Sequence, residues 1–144
     1  MIKIKDVISQ LEKWAPPALQ ESYDNSGLIV GDRNVVVDKA LLCLDSPEEI
    51  GDEAIEKGCN LIIAHHPIVF SGLKSLTGKN YIERTIIKAI KNDIAIYAIH
   101  TNLDNVQSGV NKMIAKKIGL QDLKVLAPKS GLLSKLVFFC PSAE

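Results

Sequence analysis

The sequence predicts an α/β fold in which βαβ units form a mostly parallel sheet flanked by helices, and three observations carry that prediction. Three short segments, 40–44, 60–64 and 94–99, each hold at least four consecutive apolar residues, the length and composition of strands buried on both faces. Between them lie stretches with helix signals at both ends. Each apolar segment also stops at a residue able to bind a metal or a proton: Asp45, the pair His65-His66 before Pro67, and His100. In open α/β sheets ligands bind outside the carboxyl ends of the strands, so these residues point at one site.

The elements follow in order. Residues 5–14 form a helix because Ile4, Val7, Ile8, Leu11 and Trp14 recur at helical spacing, with Trp14 in the core, and Pro16-Pro17 ends it. Residues 21–31 are a polar turn running into a short edge strand, since Asp24, Asn25, Ser26 and Gly27 are turn formers. After strand 40–44, Ser46-Pro47-Glu48-Glu49 reads as a capping box with proline at the first helical position and acids at the positive end of the dipole. That helix runs to about 57 and closes on a left-handed Gly58. Strand 60–64 then completes a right-handed βαβ unit with parallel strands.

Segment 72–79 superficially resembles a phosphate-binding loop. It has five residues between its glycines instead of four, and Asn80 stands where a magnesium-binding hydroxyl would be needed, so that reading is rejected. Asn80 instead caps a helix to about 91, with Glu83 at its third position and Ile82, Ile86, Ala89 and Ile90 on the inner face. Strand 94–99 closes a second βαβ unit. A further helix from about 108 to 118 buries Val110, Met113, Ile114 and Ile118 and stops at Gly119. Val125-Leu126 and 133–140 read as strands, separated by Pro128 and Gly131. The expected organisation is an α/β metal-binding lobe over 1–128, with 129–144 starting a further, truncated segment.

Composition narrows the function. The 144 residues suffice for one ordinary core; 17 basic side chains balance 17 acidic ones, and no basic run exceeds Lys116-Lys117, so a nucleic-acid footprint is absent. No signal peptide opens the sequence and no apolar stretch approaches the ~18–20 residues of a membrane span, which places the protein in the cytoplasm. Cys43, Cys59 and Cys140 are odd in number and widely spaced, and read as small hydrophobes rather than a disulfide framework or zinc ribbon.

Imidazole and carboxylate ligands suit Zn, Fe, Mn, Co or Ni. Successive side chains on a strand point to opposite faces, so His65 and His66, if both ligate, more naturally reach two different ions. Asp104, four residues beyond His100, would bridge such a pair at about 3.5–4 Å, the spacing of two-metal hydrolases. His100 is either a ligand or a group orienting Asp104. Asp45 has the weaker claim, as the turn residue leading a helix.

At these residues the sequence resembles the Nif-three-like family, also called GTP cyclohydrolase I type 2 homologues or YbgI-type dinuclear metal proteins. The resemblance rests on Glu21-Ser22-Tyr23-Asp24-Asn25-Ser26-Gly27-Leu28, on Ile63-Ala64-His65-His66-Pro67-Ile68-Val69-Phe70 and on Ile99-His100-Thr101-Asn102-Leu103-Asp104. It implies one lobe of a two-lobed α/β fold around a dinuclear site, with His65, His66 and Asp104 as ligands to two divalent transition-metal ions and His100 close by. It implies assembly as a homohexamer and, for some members, hydrolytic opening of the GTP ring, with a small-molecule substrate and neither nucleic acid nor membrane as partner. Asp24 and Asn25 then become substrate-side or supporting groups. The family completes its site with a His-x-x-x-Glu pair near the C-terminus of a longer chain; here no histidine follows His100. Longer members carry an inserted domain, and 136–141 is similar to its first strand, so the chain is expected to be the first lobe plus the start of that insert. A non-enzymatic metal-binding scaffold or regulatory protein is the rival reading, because no general acid or base beyond the ligands stands out.

Overall fold

A computed structural model describes residues 1–128, 131 and 136–138. Its elements are α1 (Ile4–Trp14), a 3-10 turn (Pro17–Leu19), β1 (Gly27–Val30), β2 (Ala40–Cys43), α2 (Glu48–Glu56), β3 (Leu61–Ala64), α3 (Tyr81–Lys91), β4 (Ala95–Ala98), α4 (Thr101–Asn105) and α5 (Val110–Lys117). The four strands lie in the order β1-β4-β3-β2. β2 pairs parallel with β3, and β3 with β4, as two βαβ units require; β1 adds antiparallel to the outside of β4. The expected mixed α/β architecture is therefore the one observed, with segment 27–30 as an edge strand.

Each face of the sheet has its own apolar layer. Ile62, Ile86, Ala89, Ile94 and Ile96 pack with Ala54 on the side of α2 and α3. Ile4, Ile8, Ala15, Leu61, Ala95, Tyr97 and Ile99 pack on the side of α1. Alternation along β3 and β4 thus feeds both layers, which is why these runs carry no polar residue.

Local differences from the sequence reading have physical reasons. Trp14 is half exposed and donates from Nε1 to Ser108 Oγ at 3.0 Å. The stripe through Ile4, Ile8 and Leu11 continues on Ala15, fully buried, leaving Trp14 on the helix flank. The capping box at Ser46 does not form: Pro47, extended at φ −69° and ψ −178°, takes the N-cap position, and the buried Ser46 Oγ has no partner among the described residues. Gly58 is left-handed at φ 65° and Asn80 caps α3 by accepting from Glu83 N, both as read. Ile90, expected inside, is half exposed and lines a groove of about 450 Å³ with Leu73, Leu76 and Val69. On α5 only Ala115 is buried, whereas Met113, Ile114 and Ile118 face outward, because the helix packs on α4 outside the sheet's own layers. Val125-Leu126 and 136–138 lie in no strand; the rest of the run expected over 133–140, Cys140 included, lies outside the described residues.

Glu83, buried in α3, was read only as a cap position. Its carboxylate accepts from Thr77 N at 2.9 Å, Lys79 N at 3.2 Å and Thr77 Oγ1 at 3.1 Å, tying the long loop after Pro67 to the helix. The Thr77 amide leads these bonds in overcoming burial, and together they hold the Glu83 carboxyl down to about 2. Because the folded value is depressed, this contribution is complete above the ordinary glutamate range and is lost as pH falls from about 4.5 towards 2. Glu83→Gln is therefore expected to lower the thermal midpoint at pH 7 and to flatten the acid limb of the stability curve; equal midpoints at pH 7 would contradict this role.

Candidate metal centre

The carboxyl ends of β2, β3 and β4 deliver Asp45, the pair His65-His66 and His100 to one place. Past Ala64 the backbone bends, with His65 N donating to Cys43 O at 3.1 Å and His66 N to Leu44 O at 2.9 Å. The strand pleat has ended there, so its alternation no longer separates adjacent side chains. The two rings lie with centroids 4.9 Å apart, and each stands edge-on to the His100 ring at 5.3 and 5.2 Å. The two side chains therefore do not point to opposite faces, as strand alternation would have them. One ring nitrogen from each of His65, His66 and His100 lies within 4.8 Å of the others, close enough to hold a metal ion.

The tautomers follow from the partners. His65 Nδ1 meets Ile99 O at 2.9 Å, His66 Nδ1 meets Asp45 Oδ1 at 2.7 Å and His100 Nδ1 meets Asp24 Oδ1 at 2.8 Å. Carbonyls and carboxylates only accept, so each Nδ1 carries a hydrogen, and in the neutral imidazole Nε2 is the nitrogen with the lone pair. Orientation of a ligating imidazole through its other nitrogen is the usual arrangement around bound metals. Imidazole nitrogens with a nearby carboxylate are also the donor set that divalent transition metals prefer, so the residues present fit such an ion.

Asp104 joins through helix geometry. Its amide donates to His100 O at 3.1 Å in the first turn of α4, and its Oδ1 stands 3.7 Å from His65 Nε2. The four-residue spacing between His100 and Asp104 is thus one helical turn.

Asp24 is the anchor of the site. Its side chain is wholly shielded from solvent, and Oδ2 accepts from Thr101 N at 3.0 Å, Thr101 Oγ1 at 2.5 Å and Ser26 Oγ at 2.8 Å, while Oδ1 takes His100. Burial pushes its pKa up, yet the donors from Thr101, His100 and Ser26 outweigh that and hold the carboxyl well below the usual carboxylate range. Asn25 is exposed and fixes the loop after β3 by donating from Nδ2 to Val69 O at 2.6 Å. Cys43, beside Asp45, has its thiol pushed up to about 11 by burial and by the neighbouring Asp45 and Glu53, so the thiol is protonated at neutral pH.

Sequence reasoning placed Asp24 near the site but not as the brace of His100, and it gave Asp45 a turn role instead of the hydrogen bond to His66. The signal for Asp45 was available, since it ends a strand as the histidines do. Asp24 gave none, because it reaches His100 across 76 residues.

Comparison with known proteins adds the family context. Residues 2–140 match the family described as Duf34/NIF3 (NGG1p interacting factor 3). The chain is 46% identical over 136 residues to the GTP cyclohydrolase 1 type 2 homolog of Halalkalibacterium halodurans, a match covering 94% of this chain and 37% of that protein. It superposes on the Bacillus cereus protein related to NIF3 with a TM-score of 0.83 at 44% identity, covering 89% of this chain and 35% of the other. Reduced HcgD from Methanocaldococcus jannaschii aligns with a TM-score of 0.81 at 31% identity, covering 88% of this chain and 50% of the other. The chain therefore spans less than half the length of the curated relatives it matches.

Proposed function

The chain belongs to the Duf34/NIF3 family, and from that premise we propose that it carries the first-lobe part of a dinuclear-metal-dependent hydrolase site. The substrate is a nucleotide or similar heterocycle, and the reaction a GTP cyclohydrolase-type ring opening by activated water. The observation that supports this most is the set of three imidazoles, each with Nδ1 engaged by an acceptor, whose ring nitrogens converge within 4.8 Å beside Asp104.

In this reading His65, His66 and Asp104 hold two divalent ions of the Zn, Fe, Mn, Co or Ni class, and His100 is a further ligand or the brace of the Asp104 turn. When bound, such ions lower the pKa of coordinated water and polarise the electrophile. The chain's own residues supply orientation: Ile99 O, Asp45 and Asp24 fix the rings, and α4 carries Asp104 back over His100. Asp24, enclosed by its donors, braces the site, and the exposed Asn25 is the substrate-side group. The protein acts in the cytoplasm and assembles with copies of itself as the family's hexamer.

A second reading, a metal-binding scaffold or regulatory protein without turnover, draws on the engagement of the site's titratable groups. The imidazoles are held through Nδ1 and would carry the ions on Nε2, Asp24 and Asp45 are committed to those imidazoles, and Asp104 would ligate beside His65, so with the ions bound none of these side chains is left to shuttle a proton.

Elemental analysis of protein purified without chelators tests the metal, and GTP turnover in chelated and reloaded protein tests the enzyme. Bound metal that is lost in His65→Ala, His66→Ala and Asp104→Ala, with turnover only in the loaded protein, is the expected result. Metal content unchanged in the histidine variants removes the metal site. Turnover equal in chelated and loaded protein removes the hydrolase, and metal binding without turnover selects the scaffold.

A further inference from the structure

A cavity of about 220 Å³ adjoins the histidine cluster at His66, walled by the turns that follow β2 and β3 and by the first residue of α3. Four of its lining residues carry rings: Pro47, His66, Pro67 and Tyr81. Asp45 and Ser46 also line it, and no lysine or arginine does. Pockets for drug-sized ligands run to roughly 300–1,000 Å³, so this one has room for a single heterocycle and not for a whole nucleotide.

The lining specifies the chemistry of that heterocycle. Ring side chains favour a flat ligand, and Tyr81, half exposed, supplies an aromatic surface for stacking. Asp45 selects for donors. Its Oδ1 takes His66 Nδ1 at 2.7 Å, whereas Oδ2 has no partner among the described residues. A carboxylate offers about four lone-pair positions, so two adjacent N–H groups of a ligand can still be met there. With that charge in the wall and no cation beside it, a phosphate is disfavoured. Ser46 Oγ is buried and makes no hydrogen bond among the described residues, although buried hydroxyls are ordinarily paired, so it is left for a polar atom of the ligand.

We propose that this cavity is a base subsite: it takes a planar nitrogen heterocycle whose ring N–H and adjacent amino group both donate to Asp45 while Tyr81 stacks on its face. The inference rests on the reading of the substrate as a nucleotide or similar heterocycle, and it narrows that class. Guanine presents the required pair of donors on its Watson–Crick edge, the edge by which proteins read an unstacked base. Adenine sets its amino group beside a ring acceptor, and hypoxanthine has the ring N–H without the amino group, so each meets the carboxylate with one donor only. Because the same carboxylate fixes His66, the bound ring stands one side chain from an imidazole of the candidate metal centre. Asp45 is thereby shared between orienting that imidazole and selecting the base.

Titration of the chelated chain with guanosine 5′-monophosphate, followed by amide shifts in ¹H–¹⁵N spectra, reads both affinity and place without metal or turnover. Shifts are expected at residues 45–49, 66, 68 and 81. Inosine 5′-monophosphate should bind about tenfold more weakly, the loss of one hydrogen bond to a charged acceptor, and ribose 5-phosphate should leave these amides unmoved. Asp45→Asn keeps an acceptor for His66 but turns a donor towards the ligand, and should weaken binding by about tenfold or more. Tyr81→Ala costs about tenfold and Tyr81→Phe nearly nothing, since the ring and not its hydroxyl is used. Ser46→Ala should weaken binding about fivefold without lowering the thermal midpoint, because that hydroxyl holds nothing in the free protein. Equal affinity for the two nucleotides, the same shifts with ribose 5-phosphate, or binding unmoved by Asp45→Asn would each overturn the proposal. Binding here without GTP turnover in the metal-loaded protein removes the hydrolase and keeps the subsite; turnover with no shift at these residues removes the subsite alone.

Discussion

Asp24→Asn is expected to lower the stability of the fold by about 2–4 kcal/mol and to weaken metal binding at the histidine cluster by about 10–100-fold. The substitution keeps the shape but replaces one accepting oxygen with a donor. Every partner of the Asp24 carboxylate donates: Thr101 through N and Oγ1, Ser26 through Oγ, His100 through Nδ1 and Asn25 through N. An amide in that enclosure leaves at least one buried donor facing another, and hydrogen bonds to a charged acceptor are each worth about 1.5–3 kcal/mol. Asparagine can also turn its NH₂ towards His100, which would move the imidazole hydrogen to Nε2 and block the lone pair the cluster needs.

The pH dependence separates this account from a general packing defect. The folded Asp24 carboxyl is depressed relative to its ordinary value of 3.8, so its contribution is complete above that value and is lost as pH falls below it. Wild type and Asp24→Asn should therefore differ most near neutral pH and converge in acid. Urea midpoints across pH, with cobalt titration followed by visible absorbance, would check both halves. A constant gap at every pH, or unchanged cobalt affinity, would remove the bracing role.

Residues that announced themselves in the sequence did so through position on a strand. His65, His66 and His100 each follow an apolar run, and topology alone brings the ends of parallel neighbours together. What stayed hidden was the geometry after the strands end. Strand alternation separated His65 from His66 on paper, whereas the bend past Ala64 brings their rings within 4.9 Å. The same limit hid α4, whose five residues, Thr101–Asn105, are too few for an apolar period to register. The outward apolar residues of α5 were misplaced for the opposite reason: Met113, Ile114 and Ile118 have a helical period, but a period does not reveal what the stripe faces. Long-range polar partners such as Asp24 and His100 leave no local pattern at all.

Gly31→Ala is expected to destabilise the fold by about 2–6 kcal/mol, a large part of the total stability of a domain this size. Two costs combine. Gly31 has φ +107°, outside the range an L side chain adopts readily, which costs about 1–3 kcal/mol. A Cβ there would also lie 2.6 Å from Ala95 Cβ and 2.8 Å from Ala95 Cα. Ala95 starts the central strand β4, which is held by β3 on its other side, so the strain falls on β1 and moves it outward. Gly27 supplies the control. Its φ is +119° but nothing lies within 4 Å of an added Cβ, so Gly27→Ala should cost only the conformational part, about 1–3 kcal/mol. The displacement also reaches the site, because β1 is entered directly from Asp24 and Ser26, the groups that hold His100. Gly31→Ala should accordingly lose metal affinity as well as stability. Ala95→Gly in the same chain removes the nearer contact, so the double variant should be more stable than the sum of the two single effects, with part of the metal affinity restored. Strict additivity would mean that the strand tolerates the contact and that the cost of Gly31→Ala is conformational alone.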